Sequence, residues 1–430
     1  MEIIADLHLH SKYSRACSKD LNIENMEKYG KIKGVTLMGT GDFQHPKWLP
    51  ELKEKLIEDN SGILKSKTGF PFILTTEISL IYSQGGKGRK VHVVVWVKDF
   101  KTADAVQQAL LKRGRIDYDG RPIFGISCPD FVDMLKKINE DIEVIPAHAW
   151  TPWFGVFGSE GGFDSIEEAF LDKAKYINAI ETGLSSDPEM NWRLSKLDRF
   201  SLVSFSDSHS YWPWRMGRET TVFEFKDLTY DNIIKAIRTK VGLKGTIEVE
   251  PAYGKYHYDG HRNCNISLSP TESNKLKKIC PKCKRQLTIG VENRVEELAD
   301  RPFGYKKENA PFSVKLIPLS DIISGVIGKS VATKSVWEIY YKLVGKLGSE
   351  YDVLRKVPYE ELKKEVTHEI AEAIIKSKEQ KIRVIPGYDG VYGIPVFDEN
   401  KPVVMPQVND DDIDTETKEI AKQKGLQDYF

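Results

Sequence analysis

Over the first 225 residues, short apolar runs alternate with stretches whose apolar positions recur at helical spacing. The pattern predicts strands at 3–7, 35–38, 72–75, 92–97, 143–145, 179–181 and 202–205. It predicts helices at 22–29, 48–56, 103–112, 130–139, 165–170 and 188–197. Two apolar runs, 78–82 and 91–97, flank Gly85-Gly86-Lys87-Gly88 and read as a hairpin. Such alternation points to an α/β fold built on a parallel sheet, open or closed into a barrel. Near residue 254 the character changes to short segments around paired cysteines. From 301 to about 400 strands and helices mix, with helices expected at 319–327, 335–346 and 359–377 and a glycine-rich turn at 386–393. The expected organisation is therefore an α/β barrel over 1–250, a zinc-binding module over 251–300 and an α+β domain over 301–400. The polar stretch 401–430, with acidic residues at 410–412, reads as a flexible tail.

Composition narrows the partners. Lys plus Arg and Asp plus Glu each number 63, so the formal net charge is zero. A polyanion would have to be met by a local basic surface, since there is no global excess. No stretch approaches the roughly 20 apolar residues of a membrane span, and the N-terminus runs straight into a strand pattern without a signal peptide. Three of the five cysteines are clustered, which suits metal binding in a reducing compartment better than a disulfide framework. The expectation is a cytoplasmic, monomeric protein.

Chemistry-bearing residues fall at or just after the predicted strand ends, where barrels place their active sites. Asp6-Leu7-His8-Leu9-His10 projects alternate side chains to one face. Thr40-Gly41-Asp42, with His45 beyond it, Glu77, His92, Pro146-Ala147-His148 and Ser206-Asp207-Ser208-His209 follow. Nitrogen and carboxylate ligands from several strands are what a hydrolytic multi-metal centre needs, and such ions lower the pKa of bound water. Arg15, Arg193 and Arg218 are candidate phosphate clamps, because guanidinium matches phosphate in a two-pronged fashion. Separately, His261-x2-Cys264-x15-Cys280-x2-Cys283 has the spacing of a closed, structural Zn²⁺ site, with His257 as the alternative fourth ligand.

Asp6-Leu-His8-Leu-His10-Ser, Thr-Gly-Asp42-Phe, Thr-Thr-Glu77, Pro-Ala-His148 and Phe-Ser-Asp207-Ser-His209 resemble the motifs of the polymerase-and-histidinol-phosphatase (PHP) metallophosphoesterases. The resemblance implies a PHP-type distorted (β/α)7 barrel as the catalytic domain, holding two or three divalent ions, Zn²⁺, Mn²⁺ or Mg²⁺. It implies one ion on His8, His10, Glu77 and Asp207, a second on Glu77, His92 and His148, and a third on Asp42 and His209. The family usually reads Thr-Asp-His where this chain has Thr-Gly-Asp42, which leaves the third ligand set open, with His45 in reserve. Asp207, His209 and Arg193 are the expected catalytic residues.

The order of a PHP barrel, the Lys255–Cys264 stretch, the Cys280-Pro-Lys-Cys283 knuckle, residues 287–302 and Ile385-Pro-Gly-Tyr-Asp-Gly-Val-Tyr-Gly393 is more specific. Over nearly the whole chain it resembles the archaeal endonuclease Q family. That resemblance implies a DNA repair endonuclease that nicks 5′ to a deaminated base (hypoxanthine, uracil, xanthine) or an abasic site, leaving a 3′-hydroxyl and a 5′-phosphate. The rival readings are a small-molecule phosphatase of the histidinol-phosphatase kind and a non-catalytic DNA-binding scaffold. The final residues, Gln423-Lys-Gly-Leu426-Gln-Asp-Tyr429-Phe430, match the Gln-x-x-aliphatic-x-x-aromatic-aromatic peptide that docks on the replication sliding clamp (PCNA).

Overall fold

The computed structural model describes residues 1–397. Its sheet begins with β1 (Glu2–Asp6), β2 (Leu37–Gly39) and β3 (Leu64–Lys65), continues through β4 (Pro71–Gln84), β5 (Lys87–Val97), β6 (Ile123–Phe124) and β7 (Glu143–Pro146), and is followed by the separate pair β8 (Ala179–Glu181) and β9 (Ser201–Val203). Then come β10 (Thr220–Glu224) and β11 (Leu243–Glu248), the small hairpin β12 (Asp259–His261) and β13 (Ile266–Leu268), β14 (Phe312–Lys315), and a last hairpin, β15 (Arg383–Ile385) and β16 (Ile394–Val396). The main sheet runs β14-β11-β10-β1-β2-β4-β5-β7, with β3 and β6 also on β4.

This sheet is mixed rather than parallel. β1, β2 and β4 pair in parallel, but β10 joins β1 and β5 joins β4 antiparallel. The backbone ring is not closed by regular pairing, because β8 and β9 pair only with each other. The curl is completed by single links instead: Ala149 N donates to Glu181 O at 2.9 Å, and His10 N donates to Ser208 O at 3.1 Å beside a Leu9–Ser208 bridge. The expected hairpin is longer than its apolar runs suggested. β4 and β5 pair over eleven residue pairs up to Gln84–Lys87. Gly85 and Gly86 take φ of 62° and 74° there, the left-handed values a two-residue turn needs.

Helices α1 (Ile23–Lys33), α2 (Trp48–Lys55), α3 (Phe100–Leu111), α4 (Cys128–Ile138), α5 (Ile166–Phe170), α6 (Pro188–Trp192) and α7 (Tyr230–Thr239) accompany the sheet. Their ends follow local chemistry. Asn22 caps α1 by accepting from Asn25 N, and Gly34 ends it at φ 99°. Ser127 caps α4 ahead of a proline in its first turn, and Phe131, Val132 and Leu135 form its buried stripe. The predicted helix at 188–197 is shorter: α6 stops at Trp192 and a 3-10 turn covers Ser195–Leu197. The core side chains include Trp48, Trp96, Trp150, Phe72, Phe131 and Phe157, each fully buried, and each such burial stabilises by roughly 1.5–3 kcal/mol.

Beyond the barrel, α8 (Pro270–Lys275) and α9 (Val291–Leu298) flank the cysteine knuckle. β14 pairs in parallel with β11, so the segment expected to open a separate domain extends the barrel sheet instead. The rest is mainly helical: α10 (Leu319–Ile327), α11 (Lys334–Leu347), α12 (Glu350–Arg355), α13 (Tyr359–Glu365) and α14 (His368–Lys378), with the β15–β16 hairpin. The single helix expected at 359–377 is two, because Val366 and Thr367 are extended between them.

One buried ion pair ties these helices to the barrel. Lys33 of α1 donates to Glu350 of α12 at 2.7 Å and to Pro213 O at 2.8 Å. Glu350 also accepts from Leu319 N at 2.9 Å and Tyr340 OH at 2.7 Å, and both charged side chains are almost wholly buried. Losing one partner leaves a charge without compensation in the interior. Glu350→Ala is therefore expected to destabilise the chain by about 3–5 kcal/mol. Urea unfolding of the two proteins checks this, and a loss under about 1 kcal/mol, the range of a surface pair, would contradict it.

Candidate metal centre

The site is assembled from strand ends. Alternation along β1 and its continuation turns Asp6, His8 and His10 to one side, while Leu7 and Leu9 are buried on the other. Asp6 accepts from Ser206 N at 3.0 Å and Gly217 N at 2.8 Å, which fastens β1 to the loop carrying Asp207. Burial pushes the Asp6 carboxyl up to about 6, against the pull of its Ser206 and Gly217 hydrogen bonds. On the long hairpin, Ser79 stands opposite His92, and Glu77, two residues before Ser79, shares its face. His148 follows β7, and Asp207 follows β9.

Glu77 is the hub. Its Oε1 lies 2.7 Å from His92 Nδ1 and 3.1 Å from His148 Nε2. Its Oε2 lies 3.2 Å from His10 Nε2 and 3.6 Å from His8 Nε2. Asp207 Oδ1 completes the second side, 3.1 Å from His10 Nε2 and 3.5 Å from His8 Nε2. Two ligand-competent groups result, His8/His10/Glu77/Asp207 and Glu77/His92/His148, each with its donor atoms within 4.8 Å of one another. Burial alone would raise the Glu77 carboxyl, but His92, Arg121 and His8 hold it well below the usual range. Asp207 is likewise depressed against its burial, chiefly by His8 and His10.

Outer partners set the ring orientations. His8 Nδ1 lies 2.9 and 3.0 Å from the two oxygens of Glu181, which also accepts from His148 N at 2.7 Å. His10 Nδ1 lies 3.1 Å from both Asp42 Oδ1 and Ser14 Oγ, and His148 Nδ1 lies 2.9 Å from Thr151 Oγ1. With Nδ1 engaged outward, Nε2 of each ring is directed into the cluster, the arrangement metal-binding histidines use. His8 Nε2 is a buried polar atom without a hydrogen-bond partner, so the donor set fits an ion there. Asp42, His148 and Asp207 have φ of 48°, 28° and 47°, unusual backbone that the surrounding structure has to hold in place. Gly183 permits part of this: a Cβ there would lie 2.8 Å from His148 Cβ.

Some expected residues are placed differently. Asp42, the expected third-site ligand, faces His10 and accepts from Ser11 N at 2.6 Å. Among the described residues, no group of three or more ligand-competent side chains contains Asp42 or His209. His209 sits at the mouth, its ring 4.3 Å from that of His10 and its side chain 30% exposed. His45 is buried and stacks on Tyr13 at 4.6 Å. Arg193 has no contact with the cluster. It pairs with Glu296 of α9, and its carbonyl accepts from Asp300 N and Arg301 N, so it joins α6 to the segment after α9. Arg218 Nη2 reaches Ser206 O at 3.4 Å, and Arg15 pairs with Asp119 at 3.7 Å. The guanidinium that does reach the cluster is Arg121, 3.3 Å from Glu77 Oε2, and spacing in the chain carries no sign of it. Glu181 was also missed, although it closes a predicted strand. An acid at the end of an apolar run, as at Asp6, was the available signal.

The third metal-competent group is His261, Cys264, Cys280 and Cys283. His261 Nδ1 lies 3.4 Å from Cys283 Sγ, and the knuckle is shaped by Cys280 N donating to Arg285 O at 2.8 Å. His257 is engaged elsewhere, 3.3 Å from Glu292, and is outside this group. Cys17 and Cys128 lie apart from it. Gln423, Leu426, Tyr429 and Phe430 lie outside the described residues.

A curled α/β sheet whose strand ends converge on paired histidine–carboxylate groups defines a metal-dependent hydrolase. Comparison with solved structures is more specific. The chain superposes on the lesion-specific endonuclease PfuEndoQ of Pyrococcus furiosus with a TM-score of 0.81 and 31% identity, over 92% of this chain and 95% of that one. It superposes on an endonuclease Q bound to a 27-mer duplex with an abasic lesion at the active site with a TM-score of 0.83 and 32% identity, over 93% and 97%. This chain belongs to the endonuclease Q family. Residues 318–381 match the family described as the MJ0043 C-terminal domain. The uncharacterised protein MJ0043 of Methanocaldococcus jannaschii is 33% identical over 69% of this chain, which spans about a third (36%) of that protein's length. The uncharacterised protein YqxK of Bacillus subtilis is 27% identical over 91% of this chain and 98% of its own.

Because Glu77 belongs to both barrel groups, Glu77→Gln is expected to lower the metal bound by both, while Cys280→Ser is expected to lower only the metal bound at the knuckle, by one equivalent. Glu181→Gln, which weakens the support of His8 and of the His148 backbone, is expected to reduce barrel metal affinity about 10–100-fold. Elemental analysis after dialysis against graded chelator separates the three. Undiminished barrel metal in Glu77→Gln would refute the shared-carboxylate assignment.

Proposed function

We propose that this protein is a DNA repair endonuclease that nicks the backbone 5′ to a deaminated base (hypoxanthine, uracil or xanthine) or an abasic site, leaving a 3′-hydroxyl and a 5′-phosphate. The observation that carries this reading is Glu77, whose two oxygens face two different histidine sets. That geometry suits two divalent ions side by side, Zn²⁺, Mn²⁺ or Mg²⁺, and the family relationship supplies the substrate class. When bound, such ions lower the pKa of water and neutralise charge on a phosphoryl group.

The chain's own residues divide the remaining work. His8, His10, His92, His148, Glu77 and Asp207 hold the ions, and Glu181 and Asp42 orient the imidazoles. Arg121 presents a fixed positive charge beside Glu77, where a non-bridging phosphate oxygen is neutralised. His209, partly exposed above His10, is the group positioned to hold a proton for the departing 3′-oxygen. His261, Cys264, Cys280 and Cys283 bind one structural Zn²⁺ that shapes the module between the barrel and the C-terminal helices. The tail peptide with Gln423, Leu426, Tyr429 and Phe430 docks on the sliding clamp, so that a monomeric enzyme is delivered to replicated DNA.

The test is nicking of duplexes carrying a single hypoxanthine, uracil or abasic site with Mg²⁺, Mn²⁺ or Zn²⁺ supplied. No cleavage with any ion would sink the proposal, and Asp207→Ala is expected to abolish the activity. His209→Ala is expected to lower kcat about 10²–10⁴-fold with bound metal unchanged. Loss of metal in that variant would make His209 a ligand instead. Deleting residues 423–430 is expected to remove binding to immobilised clamp while nicking of a short duplex is retained. Clamp binding that survives the deletion would exclude the peptide.

A further inference from the structure

The loop between α3 and β6 carries Lys112, Arg113, Arg115 and Arg121 in a chain of zero net charge. Two of its arginines, together with Arg15 from the loop after β1, differ in exposure. The Arg115 side chain is 75% exposed, that of Arg15 beside it 55%, and that of Arg121, at the metal cluster, 12%. Tyr118 lies near the outer two: the Arg15 and Arg115 guanidinium carbons are 5.8 and 6.0 Å from its ring centre. The ring is itself fixed, since its hydroxyl accepts from Ile123 N at 2.6 Å.

The backbone beneath is locked to the wall of the metal site. Asp119, nearly buried, accepts from Arg15 N at 3.1 Å and Arg121 N at 3.2 Å, and so sets the spacing of two of the three arginines. Gly120 N donates to Tyr13 O at 3.1 Å, and Gly120 O accepts from Gln44 Nε2 at 2.6 Å. A Cβ at Gly120 would come within 2.3 Å of Asp42 Oδ2, so only glycine lets the loop approach this closely. Arg115 pairs with Asp117, an exposed pair of a kind that is weak and salt-screened, and Arg15 lies 3.7 Å from Asp119, whose carboxylate also holds two backbone N–H groups. A phosphodiester can take over the exposed Arg115 and the outward side of Arg15 while both guanidinium groups stay beside Tyr118.

We propose that Arg115 and Arg15, both beside Tyr118 and anchored through Asp119 and Gly120, form a phosphate-binding arm. It takes successive backbone phosphates of the nucleic-acid strand whose scissile phosphate lies beside Arg121. The inference rests on the DNA endonuclease reading above. Phosphate contacts position a strand without reading its sequence, so the arm acts alike on damaged and intact duplex.

The experiment measures binding of intact duplex by fluorescence anisotropy across a salt series for the full chain, Arg115→Gln, and Arg15→Gln with Arg115→Gln. The slope of log K against log salt is expected to become shallower by about 0.9 for each arginine removed, with the same change on an abasic duplex. Arg115→Gln lies on the surface and keeps the test valid if the double variant folds poorly. Unchanged slope and affinity in Arg115→Gln would overturn the arm. A wild-type chain that binds duplex with this arginine-dependent slope but nicks no lesion would sink the endonuclease reading and leave the arm supported.

Discussion

A carboxylate without solvent contact in the middle of the barrel is the constraint on which the site depends. Burying an ion carries a penalty of several kcal/mol unless opposite charge and hydrogen bonds surround it. Glu77 meets that requirement with four imidazoles and Arg121, divided between its two oxygens. Those imidazoles are there because three separate stretches, the end of β1, the middle of β5 and the turn after β7, are drawn to one point. Glu77 and His92 are both held within the same eleven-pair antiparallel hairpin. The more exposed groups, Asp207 and His209, come from the loop after β9.

That loop is supported from two directions. Asp6 holds its near end by accepting from Ser206 and Gly217. From the far side, Lys33 donates to Pro213 O while paired with Glu350, and the Tyr351 hydroxyl reaches Gly217 O. Trp212 and Trp214 stack at 5.1 Å and both meet Trp337 of α11. The C-terminal helices thus pack against the loop that carries Asp207 and His209, which gives them a part in its rigidity as well as whatever surface they present outward.

Ring tautomers link this scaffold to chemistry. Each imidazole with an outward Nδ1 partner presents Nε2 inward, and the partners (Glu181, Asp42, Ser14, Thr151) come from four different places in the chain. His92 is the exception, turning Nδ1 to Glu77, which lies diagonally across the hairpin, two residues before its partner Ser79. The left-handed backbone at Asp42, His148 and Asp207 shows the same priority, with local conformation yielding to the direction in which a side chain must point.

Much was legible in the chain itself. Period-two alternation placed His8 and His10 on one face, strand-end acids and histidines marked the cluster, and paired cysteines marked the knuckle, because each depends on spacing within a few residues. The long hairpin and most helix starts were readable for the same reason, through glycine turns and side-chain caps. What spacing could not carry was the pairing of distant elements. Which acid orients which histidine, that Arg121 and not Arg193 reaches Glu77, that Asp42 turns to His10, and that β14 joins the barrel sheet were all decided by tertiary packing. Those contacts join residues from 32 to 173 positions apart, and only the curl of the mixed sheet brings them within hydrogen-bond range.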